Sequence, residues 1–318
     1  MSFNPSDPDI AFALESVSSS AELVVRVRKE MSGISLTKND RSPVTVADLG
    51  AQALVAARLS EVFPDDALVA EESSAVFETP EGKDALEKVL GYVRRFRPEA
   101  TADFVTRWID KGTGEPKGRF WTLDPIDGTK GFLRGGQYAI ALALIEEGEI
   151  KIGVLACPEL WSGTLALAVK GKGSWQAPLG QKTAFKPMKV SDCKNTRGAV
   201  MLRSFENAHT DTRQMENAVR RLSITKEPVL MDSLAKYAVL ASGKADILAR
   251  FPFPENPPRP EWMWDLAAGA ILVEEAGGKV TDLDGKNLDF TRGRQLSANR
   301  GVLATNGWLH NACLEAIK

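Results

Sequence analysis

Apolar residues recur at helical spacing over residues 9–31, where Ile10, Leu14, Val17, Ala21, Val24 and Val25 share one side and Gly33 ends the run. Ser42-Pro43 predicts an extended piece, because the residue before a proline avoids the α region. A second helix is predicted over 47–63, stopped by Pro64, and residues 67–70 read as a short buried strand that ends at Glu71-Glu72. Residues 78–100 read as a helix with connecting loops. The period then changes. Residues 119–123 are strand-like, and the apolar runs 138–146 and 150–156 flank Glu147-Gly148-Glu149 as a hairpin. Residues 164–169 and 173–176 read as further strands. After Lys189, short strands at 201–203, 228–231 and 246–249 alternate with helices at 211–221 and 235–241. The pattern predicts a helix plus antiparallel-sheet unit over 1–190 and a smaller α/β unit over 191–318.

Composition narrows the classes. The 318 residues are 43% hydrophobic and 26% charged, enough to bury a core without disulfides or a structural metal. Forty basic against forty-two acidic residues give a net charge of −2, which excludes a polybasic nucleic-acid binder. No apolar run has the length of a membrane span, and the first thirty residues, with Asp7, Asp9 and Glu15, lack the pattern of a leader peptide. Three scattered cysteines, Cys157, Cys193 and Cys313, suggest neither a disulfide framework nor a zinc site, so a reducing, cytoplasmic setting is expected. With only His209 and His310, a mechanism needing several imidazoles is out.

The densest chemical signal is Asp124-Pro125-Ile126-Asp127-Gly128-Thr129, directly after a predicted strand. Pro125 fixes one backbone angle, Gly128 permits a sharp bend, and two carboxylates three residues apart can face one point. Mg²⁺ takes one or two such carboxylates and keeps several waters. The N–H groups over residues 128–130 offer a place for a phosphate oxygen. Taken alone, the hexapeptide reads as a surface turn, since Asp, Pro and Gly are ordinary turn residues. Three more carboxylates hold defined places: Asp48 in the first turn of a predicted helix, Glu71 at a strand end, and Asp265 at the start of an apolar helix that stops at Gly277-Gly278. Singly, Asp48 and Asp265 also suit helix caps and Glu71 a solvated charge.

Jointly, Glu71-Glu72, the Asp124–Thr129 core and Trp264-Asp265-Leu266-Ala267-Ala268-Gly269 resemble the lithium-sensitive, Mg²⁺-dependent phosphatases of the inositol monophosphatase and fructose bisphosphatase superfamily. The stretches 42–48, 123–134, 153–158, 204–209 and 232–237 are similar to its 3′(2′),5′-bisphosphate nucleotidase branch, over nearly the whole chain. The resemblance implies a layered α/β/α/β/α sandwich, a small nucleotide substrate, two to three Mg²⁺ ions, and a monomer with no nucleic-acid or membrane partner. It implies metal ligands Glu71, Asp124, the Ile126 carbonyl, Asp127 and Asp265, and a water oriented by Asp48 and Thr129. It implies substrate contacts from Gly128, Thr129, His209, Ser233, Lys236, Arg250 and Asp265, with Lys236 and Arg250 forming a second-phosphate pole away from the carboxylates. The 3′-phosphate of adenosine 3′,5′-bisphosphate would be removed, with 3′-phosphoadenylyl sulfate a second substrate and Li⁺ an inhibitor. An inositol polyphosphate 1-phosphatase shares the metal set, and a non-catalytic Mg²⁺ or nucleotide sensor is the alternative of another class.

Overall fold

The computed structural model describes residues 3–30, 35–37, 43–182, 184–205, 210–253 and 260–318. Among them, α1 (Pro8–Glu30) and α2 (Val46–Val62) lie on one face of a seven-stranded sheet, joined by the antiparallel pair β1 (Ser35–Thr37) and β2 (Pro43–Thr45). Helices α3 (Pro80–Val93) and α4 (Ala102–Asp110) pack on α2. The sheet runs in chain order through β3 (Ala67–Ala70), β4 (Arg119–Asp127), β5 (Ala139–Glu146), β6 (Glu149–Cys157), β7 (Thr164–Val169), β8 (Gly173–Pro178) and β9 (Lys186–Pro187). The hairpin between β5 and β6 turns on Glu147 (φ 49°) and Gly148 (φ 78°), the two left-handed residues that a two-residue turn matched to strand twist requires.

Alternation along β5 sets the layer spacing. Ile140, Leu142 and Leu144 point into the helical layer, and Ala139, Ala141 and Ala143 point the other way. That small-residue face admits α8 (Ala267–Glu275): a methyl group at Gly153 of β6 would lie 2.4 Å from the Ile271 side chain and 2.9 Å from the Ala268 carbonyl. On the far side of α8 and α7 (Ala235–Ala241) lies a five-stranded sheet in the order β11 (Val229–Leu230), β10 (Met201–Arg203), β12 (Ile247–Arg250), β14 (Val302–Thr305), β13 (Lys279–Thr281). Its outer face is covered by α6 (Thr212–Arg221) and α9 (His310–Ile317). Three apolar cores, the second on both faces of α7 and α8, thus hold five layers together in the expected α/β/α/β/α sandwich.

The structure corrects one detail and adds others. β3 and β4 pair in parallel, not antiparallel, so Ala70 lies beside Leu123 and the following Glu71 comes alongside Asp124. The elements α4, β13, β14 and α9 are not evident in the pattern: α4 buries only Val105 and Ile109, one i,i+4 pair, too little for a period. No helix among the described residues is long and apolar enough to cross a membrane.

Candidate active site

Backbone irregularity at the end of β4 aims the carboxylates. Asp124 pairs with Ala141 and Asp127 with Ala139, so three steps on β4 match two on β5. Such a bulge re-aims side chains, and Pro125 is tolerated there because it has no N–H to lose from the ladder. Without it, the two-residue period would send Asp124 and Asp127 to opposite faces; with it, both line one cleft of about 380 Å³. Gly128 then turns left-handed (φ 87°) to open the short helix α5 (Thr129–Arg134), and a methyl group there would lie 2.9 Å from Cβ of Ser233. Ser233 is itself left-handed (φ 67°), a costly conformation for a residue with a side chain. The Leu234 N–H donates to Asp127 Oδ2, which docks the second half of the chain on the Asp127 carboxylate.

Glu71, Asp124, Ile126, Asp127, Gly128, Thr129, Ser233, Lys236, Arg250 and Asp265 all line this cleft. Asp48, in the first turn of α2, is buried and close enough for its charge to act on Asp124. His209 lies outside the described residues. The Asp124 carboxyl is held well above the usual carboxylate range, by burial first and then by Glu71, Asp127, Asp265 and Asp48. Burial, with Asp127, Glu261 and Glu71 adding to it, likewise raises Asp265 against the pull of Arg250. Among the described residues, the buried Asp124 Oδ1 has no hydrogen-bond partner. An acid so placed requires a proton or a cation. Among the described residues, no three His, Cys, Asp or Glu side chains close into a ready-made cage. The open set of oxygens still fits a hard cation that keeps its waters, with the orphaned Asp124 oxygen as its first ligand. Thr129 Oγ1 donates to the Ile126 carbonyl at 3.2 Å, which leaves its lone pairs to accept from a water.

The two cations do not form a separate pole. Arg250 Nη1 lies 3.0 Å from Glu261 Oε2 and 3.6 Å from Asp265 Oδ2, so it stands against the carboxylates. Burial opposes its charge, but Glu261 and Asp265 hold the guanidinium above its ordinary value. Lys236 Nζ donates to the Met231 carbonyl at 3.2 Å, and burial, only partly offset by Asp127, pulls it down to about 8.

Several residues at the site escape the sequence reading. Gln52, one turn after Asp48 on α2, is fully buried; it donates to the Glu72 and Ile109 carbonyls (2.8 and 2.7 Å) and accepts from the Glu72 N–H at 3.0 Å. It therefore fixes the chain beside Glu71. Arg294 donates to the carbonyls of Ala70 (2.5 Å), Gly112 (3.1 Å) and Gly114 (3.3 Å) and covers the Trp264 ring at 5.1 Å. The spacing Asp48-x-x-x-Gln52 was a legible signal for the first; nothing local points to the second.

A five-layered sandwich whose two sheets share an acid-lined cleft defines the class. The sequence model of the inositol monophosphatase family matches residues 6–318, and the chain belongs to that family, whose members are metal-dependent. It is 36% identical to a 3′(2′),5′-bisphosphate nucleotidase of Emericella nidulans (93% of each chain), 39% to one of Schizosaccharomyces pombe (91% of this chain, 88% of that) and 38% to one of Oryza sativa (99% and 95%). The fold is similar to an IMPase of Thermotoga maritima, with a TM-score of 0.69 at 22% identity over 97% of this chain and 96% of that one. It is also similar to CysQ of Bacteroides thetaiotaomicron, with a TM-score of 0.64 at 21% identity over 96% and 99%.

Proposed function

We propose that this chain is a 3′(2′),5′-bisphosphate nucleotidase that releases the 3′-phosphate of adenosine 3′,5′-bisphosphate as inorganic phosphate and leaves AMP, with 3′-phosphoadenylyl sulfate as a second substrate. The reading is carried by the orphaned, buried Asp124 carboxylate in a cleft that also holds Lys236 and Arg250. It is supported by the names of relatives 36–39% identical over most of their length. Glu71, Asp124, the Ile126 carbonyl, Asp127 and Asp265 would hold two to three Mg²⁺ ions. When bound, Mg²⁺ polarises the phosphoryl group, lowers the pKa of water and stabilises the leaving oxygen.

The chain's own residues do the rest. Asp48 and Thr129 orient the attacking water and take its proton at the Asp48 carboxylate. Gly128 lets the backbone approach the phosphate closely. Ser233, Lys236 and Arg250 bind the substrate's anionic groups, Arg250 through the guanidinium that Glu261 keeps aimed into the cleft. His209 is assigned to the adenosine on the sequence resemblance alone. The enzyme acts as a monomer in the cytoplasm.

A phosphate-release panel tests the reading: adenosine 3′,5′-bisphosphate, 3′-phosphoadenylyl sulfate, AMP, inositol 1,4-bisphosphate and fructose 1,6-bisphosphate, with Mg²⁺ and with EDTA. The adenosine bisphosphate should be hydrolysed fastest, only with Mg²⁺, and LiCl should inhibit more than KCl at equal ionic strength. Preference for the inositol or sugar bisphosphate would overturn the assignment, and phosphate release undiminished by EDTA would remove the metal.

A further inference from the structure

The wall of the cleft beyond the carboxylates carries a stacked aromatic column. Trp262 lies over Trp264 with ring centroids 4.8 Å apart and planes 8° from parallel, and the Arg294 guanidinium backs Trp264 at 5.1 Å. Trp264 is buried and belongs to the sequence signature; Trp262 lines the same cleft and is 40% exposed. Its backbone is fixed on both sides. Met263 N–H donates to the Arg294 carbonyl at 3.1 Å, Leu296 N–H to the Glu261 carbonyl at 2.9 Å, and Trp262 itself bridges to Gln295. The neighbouring Glu261 holds Arg250, so the ring is locked in register with the charged end of the site. A rigid indole with one face covered is a low-entropy platform for a second planar ring.

We infer that Trp262 is a specificity-determining residue: it stacks on the planar base of a nucleotide and so separates nucleoside bisphosphates from inositol and sugar bisphosphates, which present only hydroxyls and phosphates. This rests on the nucleotidase reading and deepens it. The carboxylates and cations recognise phosphate, which every candidate substrate shares; the indole face would recognise what only the nucleotide has.

The test compares wild type with Trp262→Leu, which keeps apolar cover over Trp264 without a π face, and Trp262→Phe, which keeps a smaller one. Binding of AMP and of ribose 5-phosphate, the same sugar phosphate without the base, is measured by calorimetry in Mg²⁺, alongside KM and kcat for adenosine 3′,5′-bisphosphate. Trp262→Leu should weaken AMP binding and raise KM by about ten- to a hundredfold, the range that base–aromatic stacking supports, with kcat little changed. Ribose 5-phosphate affinity should stay within twofold, and Trp262→Phe should recover most of the loss. Equal weakening of AMP and ribose 5-phosphate would reduce Trp262 to a structural prop, and unchanged AMP affinity would remove it from the site; either overturns the inference. If wild type releases no phosphate from the bisphosphate, the nucleotidase reading fails by itself, and the AMP against ribose 5-phosphate comparison still decides the role of Trp262.

Discussion

Two clusters of carboxylates, gathered at opposite ends of β4, meet opposite fates. At the start of β4, Arg119 binds Asp9 (2.6 Å), Asp66 (2.9 Å) and Glu146 (2.5 Å), and the Trp121 indole N–H donates to Asp66 at 3.0 Å. Burial pulls the guanidinium down, but the three acids more than make up for it and hold it above its ordinary value. At the far end of β4, Asp124 sits among Glu71, Asp127, Asp265 and Asp48, with its own charge disfavoured and one oxygen unbonded. A cluster whose three acids all bind one side chain that cannot lose its proton is finished as it folds and ties α1 to the sheet. A cluster in which burial and neighbouring acids still disfavour the Asp124 charge, although Arg250 stands 3.6 Å from Asp265, is less favourable in the free protein, and that deficit is what a cation would relieve.

The largest effect expected from breaking this contrast is on turnover. Asp124→Asn should lower phosphate release about a thousandfold, roughly 4 kcal/mol of barrier. Its thermal midpoint in EDTA should stay level or rise, because a neutral amide ends the repulsion. Near-normal turnover in this variant would show that Asp124 is not the residue on which the chemistry hangs.

A third buried polar group sharpens the comparison, because it is satisfied by hydrogen bonds alone. His310 lies between the hydroxyls of Thr281 (Nε2, 2.9 Å) and Thr305 (Nδ1, 3.0 Å). Thr281 already donates to the Asp282 carbonyl and Thr305 already accepts from the Gly307 N–H, so Nε2 carries the proton and Nδ1 accepts. Burial, with Lys279, lowers this imidazole to about 4. The unfolded chain binds its proton near pH 6.5, so stability is full above that value and falls as the pH drops towards 4, by about 3 kcal/mol. Urea unfolding at stepped pH should show this slope in wild type and not in His310→Asn; equal slopes would assign the acid sensitivity elsewhere.

Arg119→Ala should cost about 2 kcal/mol of stability, less than for a fully buried pair because the cluster is partly open to solvent. Turnover per folded molecule should persist, read by urea midpoint and by phosphate release. A loss of turnover without a loss of stability would mean that both ends of β4 serve the site. The smallest effect is the Mg²⁺ response itself. At ten times its dissociation constant, Mg²⁺ should add about 1.4 kcal/mol to unfolding. Arg119→Ala should retain this increment and Asp124→Asn should lose it; the same increment in both would place the ion away from Asp124.

Much of the architecture is legible along the chain. The helix of 9–31 and the alternating strands around Glu147-Gly148 are local matters, set by which side chains recur and where a left-handed turn is cheap. The candidate carboxylates could be picked out only jointly, through the resemblance of Glu71-Glu72, Asp124–Thr129 and Trp264–Gly269 to a known family, since Asp-Pro-Ile-Asp-Gly-Thr alone reads as a turn. The expectation that failed was spatial. Lys236 and Arg250 were placed apart from the acids, whereas Arg250 stands 3.6 Å from Asp265.

The alternation of elements and the charge carried at each position are written along the chain. Which charges meet is set by the packing of the layers. Arg119 finds Asp9 across 110 positions and Asp66 across 53, Arg294 reaches the Ala70 carbonyl across 224, and no arginine reaches Asp124 at all among the described residues. Local propensity acts over a few residues, while the strength of a carboxylate depends on burial and on charges within a few ångströms, and these are brought together only when the layers pack.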